Sequence, residues 1–576
     1  MKKLAVILFF AWMSLFFSFP GFAYVIGDVN SDDRIDLTEA INALQVTSGV
    51  RTTASASATV YVTPGGPMTI QQAIDAAKPG DIIDVAAGTY TGALTVTNKA
   101  LTIRGAGTST IITSGSTSTA ALTVDGARLV VISGVTFQNS SIGIQAKRGA
   151  AVDVSDTVIQ DTNSRGIQVV DNATAKLTNL TVQRIAGHGI QALRGSSITL
   201  SGTVISSNNT GTTDGINIQQ NSIVSLSTAT VTANNNGRFG FNVYNSSGLL
   251  GDKSSVTVQD NTRGGIYIHS GSSVELQATS ILSERNPTGI GLLSASGFLA
   301  DASSPLTVRG STGMGLGAGG GCNIALQGTV SVESNGTGLT ITDGSSAQFY
   351  GTTTVNNNTI TGLIISGGSG VQFRGPTTTV GNNAGLGLSI SGGSNVLVLG
   401  AVRVENTNGW GGVNAENNSS LVINGTMTLQ NNVGTGLWLR SASSARVGAT
   451  GNLTVSDTTG AVNGILIENN SDITIDGSLL VQNNTVGNPN AAGIAMWHGG
   501  RITFGPFSPN TVVIQNNGIG IWAGDSSIRG YGTGSIAITG NSVKDLSVGS
   551  GTKVDLPAGS YGTCMTDGST WGITCP

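Results

Sequence analysis

A glycine followed by an aliphatic residue, a variable residue and a second aliphatic recurs along this 576-residue chain. The glycines are Gly143, Gly166, Gly189, Gly215, Gly240, Gly265, Gly289, Gly313, Gly338, Gly362, Gly385, Gly412, Gly436, Gly464, Gly493 and Gly518. The intervals run from 23 to 29 residues and average 25. A fixed period of that size signals a solenoid, in which one short unit stacks on the next. The residue after the glycine and the residue two further on (Ile216 and Ile218, Ile266 and Ile268) are apolar. Period two sends both to one face of a strand, inward. Each rung holds two further strands: one follows a Ser or Asn, as in Ser273-Val274-Glu275-Leu276, and one ends in an amide, as in Val256–Asn261. Amides recur at Asn139, Asn209, Asn235, Asn261, Asn335, Asn358, Asn383, Asn431, Asn484 and Asn516. Stacked one rung apart, they are expected to form an internal hydrogen-bond ladder at a turn. A leucine-rich repeat would need a leucine consensus, and a propeller blade about 40 residues. The expectation is an all-β chain, a parallel β-helix of three strands per rung and about 18 rungs, on the order of 85–90 Å long at ~4.8 Å per rung.

Composition agrees. Glycine accounts for 84 residues, charged residues for 10% and aromatics for 5%, with a net charge of −4. A helical bundle would be richer in Ala, Glu, Lys and Leu. Binding nucleic acid by charge would need a basic excess. Disorder is disfavoured by 39% apolar residues with little charge.

The ends read differently. Lys2 and Lys3, an apolar run from Leu4 to Phe19, Pro20 and the small-residue site Gly21-Phe22-Ala23 have the order of a secretory signal peptide. Residues 1–23 are therefore expected to be removed, placing the protein outside the cell or in the periplasm, with no membrane span after cleavage. Cys564 and Cys575 are expected to form a local disulfide, and Cys322 to be a small buried side chain.

Asp28, Asn30, Asp32, Asp36 and Glu39 fall at positions 1, 3, 5, 9 and 12 of a twelve-residue calcium loop, with the Arg34 carbonyl at position 7. Position 6, where glycine makes the tight turn, is Asp33. A helix Leu37–Val46 follows. Gly27–Gly49 resembles one half of a dockerin, whose loop-helix repeats bind Ca²⁺ and dock on cohesins. The resemblance implies a bound Ca²⁺, with a cohesin-like protein or the chain's own β-helix as the segment's partner. After the segment 24–51 and a linker (52–60), Ile70, Ala73, Ile74 and Ala77 fall at helical spacing, stopped by Pro79-Gly80. The sequence then switches to period two at Ile83, Val85, Leu94 and Val96. A short helix leading into strands is expected to cap the stack. This stretch closely resembles the start of pectin-lyase-like right-handed β-helices, which implies a right-handed coil over 61–545 before a C-terminal cap (546–576).

Chemistry is confined to outward columns. Before the repeat glycine, successive rungs carry Arg165, His188 and Asp214, beside a polar column of Gln145, Gln168, Gln191, Asn217, Asn242 and Tyr267. Stacked on one face, the Arg, His and Asp form a candidate catalytic group for a sugar. Gly187-His188-Gly189-Ile190 and Thr213-Asp214-Gly215-Ile216 each resemble a polygalacturonase motif, here in reversed order. Inverting hydrolysis uses two carboxylates, and Asp214 stands alone in this patch. Arg148, Asp171 and Arg194 read as a salt-bridge ladder. A second patch places Glu416, Arg440, Glu468, Trp497 and Trp522 in one column, with Trp438 two residues back; aromatics beside charged groups suit stacking on a sugar ring. The expected function is binding or processing of extracellular polysaccharide, either as a lyase or hydrolase or without catalysis. The alternative is a non-catalytic surface, adhesion or spacer protein.

Overall fold

The computed structural model describes residues 58–566, apart from 461, 485–490, 506–510, 532–534 and 558. The signal segment, the calcium loop with its helix, and Cys575 lie outside the described residues.

Strands β1 (Thr59–Val62) and β2 (Ile82–Val85) begin the first of three parallel ladders, which runs to Lys553–Asp555. Strand β3 (Gly88–Thr91) begins the second, ending at Ser535–Thr539. Strand β4 (Leu94–Thr97) begins the third, ending at Cys564–Thr566. Between the end rungs each turn contributes one strand to each ladder, and four long strands such as Ala151–Gln160 serve the first and second together. The result is a right-handed parallel β-helix of about 19 turns, with the expected three strands per rung.

Helix α1 (Ile70–Ala76) is the one helix among the described residues. Thr69 caps it, its hydroxyl accepting from the Gln72 N–H while the Gln72 side chain accepts from the Thr69 N–H. Its carbonyl end is held by Lys99 Nζ, which donates to the carbonyls of Ile74 (2.7 Å) and Ala77 (3.1 Å). Ile70, Ala73 and Ile74 are buried against the first strands.

The core is the bore of the coil, filled by inward Val, Ile, Leu and Phe columns that share one continuous cluster. Repeat glycines recur for a steric reason. A Cβ on Gly143 would sit 2.7 Å from the Gly166 carbonyl oxygen and 2.4 Å from Ile159; one on Gly166 would sit 2.5 Å from the Gly189 oxygen. Three of the expected anchors shift by two residues. Ile290 pairs with Leu316, Leu363 with Leu388 and Ile494 with Ile521. The stacked glycines are therefore Gly315, Gly387 and Gly520, not Gly313, Gly385 and Gly518. In each case glycine stands at both positions, so the motif alone has two registers.

The amide ladder exists, with a correction. Asn209, Asn236, Asn261 and Asn286 are joined side chain to side chain at 2.8, 3.0 and 3.1 Å, all buried. Asn484, Asn517 and Asn541 repeat the pattern. Asn139, Asn235, Asn431 and Asn516 are not rungs of it: each has φ between +51° and +54°, and the next residue (Ser140, Asn236, Asn432 or Asn517) is the buried one. A further two-residue left-handed turn, such as Asp171-Asn172 or Asn417-Asn418, joins the third ladder to the first. Asn, Gly and Ser tolerate that backbone. Cys322 is free and buried; it replaces a serine in a stacked column, taking the Ser296 N–H on its sulfur and giving its own N–H to Ser345 Oγ. Cys564 is disulfide-bonded.

Candidate functional site

Both candidate patches lie on the outer surface of the third ladder. The polar column is continuous: Gln145 donates to Gln168 (2.7 Å), Gln168 to Gln191 (3.1 Å) and Gln191 to Asn217 (3.2 Å). Asn217 in turn donates to Asp214 Oδ2 at 2.7 Å.

Of the catalytic trio, the structure joins two members. His188 Nδ1 lies 3.5 Å from Asp214 Oδ2 and accepts the Asp214 backbone N–H at 3.1 Å. Arg165, opposite His188 in the ladder, turns to Gln191 Oε1 (2.6 Å) and Ser164 Oγ (2.8 Å) instead. Its place beside the carboxylate is taken by Arg238, whose Nε and Nη2 reach the two Asp214 oxygens at 2.7 and 2.5 Å. Asn242 donates to Asp214 as well. Asp214 is fully buried, so the expectation of an outward carboxylate is corrected. It is the internal counter-ion of Arg238.

Burial pushes His188 down to about 4, against the opposing pull of Asp214 and helped by Arg238 and Arg165. The imidazole is therefore neutral at pH 7, in keeping with Nδ1 acting as an acceptor. The unfolded chain, with histidine near 6.5, binds a proton that the folded site refuses between pH 6.5 and 4. Stability is expected to fall as pH drops through that window and to level below it. Urea midpoints across pH 4–7 check this; the His188→Gln variant should lose this part of the slope, and an unchanged slope would contradict it.

An aromatic group, of which the sequence reading named only Tyr267, adjoins this centre. Phe239 stacks on Tyr267 (centroids 4.7 Å apart, planes 4°) and Tyr244 on His269 (5.0 Å, 3°). Tyr267 also leans on His269 at 4.9 Å. The Arg238 guanidinium lies 5.3 Å from the Phe239 centroid, and the Tyr244 hydroxyl donates to Gln219. Burial lowers the His269 pKa and raises those of both tyrosines. Counting four residues on from Gly240 and Gly265 would have found Tyr244 and His269 in one column.

The C-terminal patch is assembled around Glu468. Its two oxygens accept the indole N–H groups of Trp438 (3.0 Å) and Trp497 (2.5 Å). Trp522 meets Trp497 edge to face at 5.1 Å. Arg440 lies 4.2 Å from the Trp438 centroid and pairs with Glu416. The three half-buried indoles cover Leu466, Ala492, Ala495 and Ile519, a small apolar cluster outside the bore. One column assignment changes: Trp522 pairs with Ala495 and so belongs to the Trp438 column. Glu416, Arg440, Glu468 and Trp497 do share a column. The two-residue slip from Gly518 to Gly520 is the cause.

Elsewhere, Arg148 pairs with Asp125 and Arg194 with Asp171, two ion pairs across neighbouring rungs. Among the described residues no group of three His, Cys, Asp or Glu side chains could hold a metal ion.

Among solved structures, the chain resembles the A-module of the Azotobacter vinelandii mannuronan C-5 epimerase AlgE6 at 13% identity, over 85% of this chain and 94% of that one, with a TM-score of 0.26. It resembles the PL6 family alginate lyase AlyGC at 13% identity, over 90% and 99%, with a TM-score of 0.25. ORF18 of Geobacillus virus E2 matches at 16% identity over 52% of this chain, with a TM-score of 0.23; the match spans 63% of that chain, less than two thirds of its length. Among curated proteins, none matches the sequence. The model of the right handed beta helix region matches residues 90–254 and 352–508, more than half of the chain. With its three stacked ladders and glycine-anchored rungs, this chain belongs to the right-handed β-helix family.

Proposed function

We propose that this protein binds extracellular polysaccharide on the outer face of its third ladder, through Trp438, Arg440, Glu468, Trp497 and Trp522, with Glu416 holding Arg440. The observation that carries the reading is the double anchoring of two indoles on one carboxylate, Glu468, with a third indole packed against them. Rings held in this way lose little freedom when a sugar stacks on them. The reading is one of binding, because Asp214 is shielded from solvent and its oxygens are engaged by Arg238, Asn217 and Asn242. Export by the segment 1–23 belongs to the proposal, as does a Ca²⁺ held by Asp28, Asn30, Asp32, Arg34, Asp36 and Glu39. A cohesin-like protein or the chain's own β-helix is the partner proposed for that calcium segment.

Electrophoresis through gels containing polysaccharide tests this, with and without chelator. The wild-type protein is expected to be retarded, and Trp497→Ala and Trp522→Ala each to weaken binding roughly tenfold, the worth of about 1.4 kcal/mol. Equal mobility in every gel would overturn the proposal. Release of reducing or unsaturated ends would show that processing accompanies binding.

A further inference from the structure

Tyr267 and His269, against which Phe239 and Tyr244 stack, occupy the same outward columns of the same ladder as the tryptophan patch. Tyr267 is followed, rung by rung, by Gly291, Gly317, Thr340, Ile364, Ser389 and Asn414, and then by Trp438. That is seven steps, or about 34 Å at ~4.8 Å per rung. The column two residues on starts from His269 and continues through Leu293 and Gly319 to Arg440. Between the two aromatic groups neither column carries a charged side chain until Glu416. Asp343, an acid, lies in the turn beyond them, φ +55°. Two aromatic platforms are thus joined by a strip of mainly small, uncharged side chains.

Resting on the binding reading above, we infer that the two platforms are the ends of one long site for a neutral polysaccharide, which lies along the third ladder and is held at both. A pyranose ring in an extended chain advances about as far as one rung, so roughly eight rings bridge the interval. A polyuronate would lay a carboxylate on nearly every rung of a strip that offers no cation. A neutral chain meets the hydroxyl groups of Thr340 and Ser389 there, and aromatic faces at each end. Once one end is bound, the other binds as an intramolecular event, so affinity should depend steeply on chain length.

The test uses the full chain with unsubstituted glucan, mannan and xylan, and with alginate and polygalacturonate as charged counterparts. A neutral polymer is expected to retard the protein while the polyuronates do not. Oligosaccharides of the retarding polymer should gain about 10²–10⁴-fold in affinity between roughly four and ten rings. Tyr267→Ala should abolish that gain and leave the affinity of four-ring oligosaccharides at the tryptophans unchanged; Trp438→Ala should abolish it as well. Circular dichroism of each variant checks that the coil is intact. Affinity independent of length, or binding of polyuronates in preference, overturns the long neutral site and leaves the tryptophan reading standing. Retardation by no polymer overturns both.

Discussion

Asp214→Asn is expected to destabilise the middle of the coil by about 3–5 kcal/mol, the usual consequence of stranding one half of a buried ion pair. The replacement keeps the volume, but it removes the charge that Arg238 reaches with two nitrogens. It also points an amide donor at a site where Asn217 and Asn242 already donate. Asp214 has no exposure to solvent that could compensate. Because each rung of a solenoid touches only its neighbours, the loss should be local. Hydrogen exchange should quicken in the strands His188–Leu193, Ile216–Gln219 and Phe239–Tyr244 before it does near the ends. Combining Asp214→Asn with Arg238→Met should recover much of the loss, since no charge is then left buried and unpaired. A single variant within ~0.5 kcal/mol of the wild type would show that the ion pair does not hold these rungs together.

Asn261→Leu should have an effect of the same size, at about 4 kcal/mol or more, for a different reason. Leucine is close to asparagine in size but can make none of its bonds. Asn261 Oδ1 accepts from the Asn236 backbone N–H (2.9 Å) and side-chain amide (3.0 Å). Its Nδ2 donates to the Ala233 carbonyl (3.0 Å) and to Asn286 Oδ1 (3.1 Å). Each buried group left without a partner costs about 1–3 kcal/mol. Asn261→Thr should cost about half as much. Threonine already serves in this column at Thr407 and Thr458, where its hydroxyl donates to Asn432 and Asn484 at 2.9 Å. Thermal and urea unfolding of the two variants compare them directly, and equal losses would mean that the ladder's hydrogen bonds are not what the position contributes.

These two positions also mark how far the sequence could be read. The column of Asn209, Asn261, Asn358 and Asn484 followed from periodicity, yet Asn235 and Asn516 were assigned to it in place of Asn236 and Asn517. Where two asparagines are adjacent, either can turn inward, and only the left-handed φ of the first decides between them. Trp522 was assigned to the column of Trp497, instead of that of Trp438, for a similar reason. Gly518 and Gly520 both satisfy the repeat, and only the pairing of Ile494 with Ile521 selects the second. His188 and Asp214 were rightly brought to one place. That Asp214 is buried beneath Arg238 depends on a side chain one rung later, which no local pattern specifies.

The architecture was legible from local patterns: a period of about 25 residues, glycine where stacked backbones leave no room for a Cβ, and aliphatic residues at period two are each signals repeated many times. A signal repeated that often survives a misreading in any one rung. The tertiary structure decided which side chains meet within the candidate patches. Glu468 meets the indoles of Trp438 and Trp497 across separations of 30 and 29 residues, and Tyr267 faces Trp438 along a column seven rungs apart. Such meetings occur once each and hang on register. A slip of two residues leaves the fold intact while moving a side chain to a different column, which is why the coil was fully legible and the contacts on its outer face only in part.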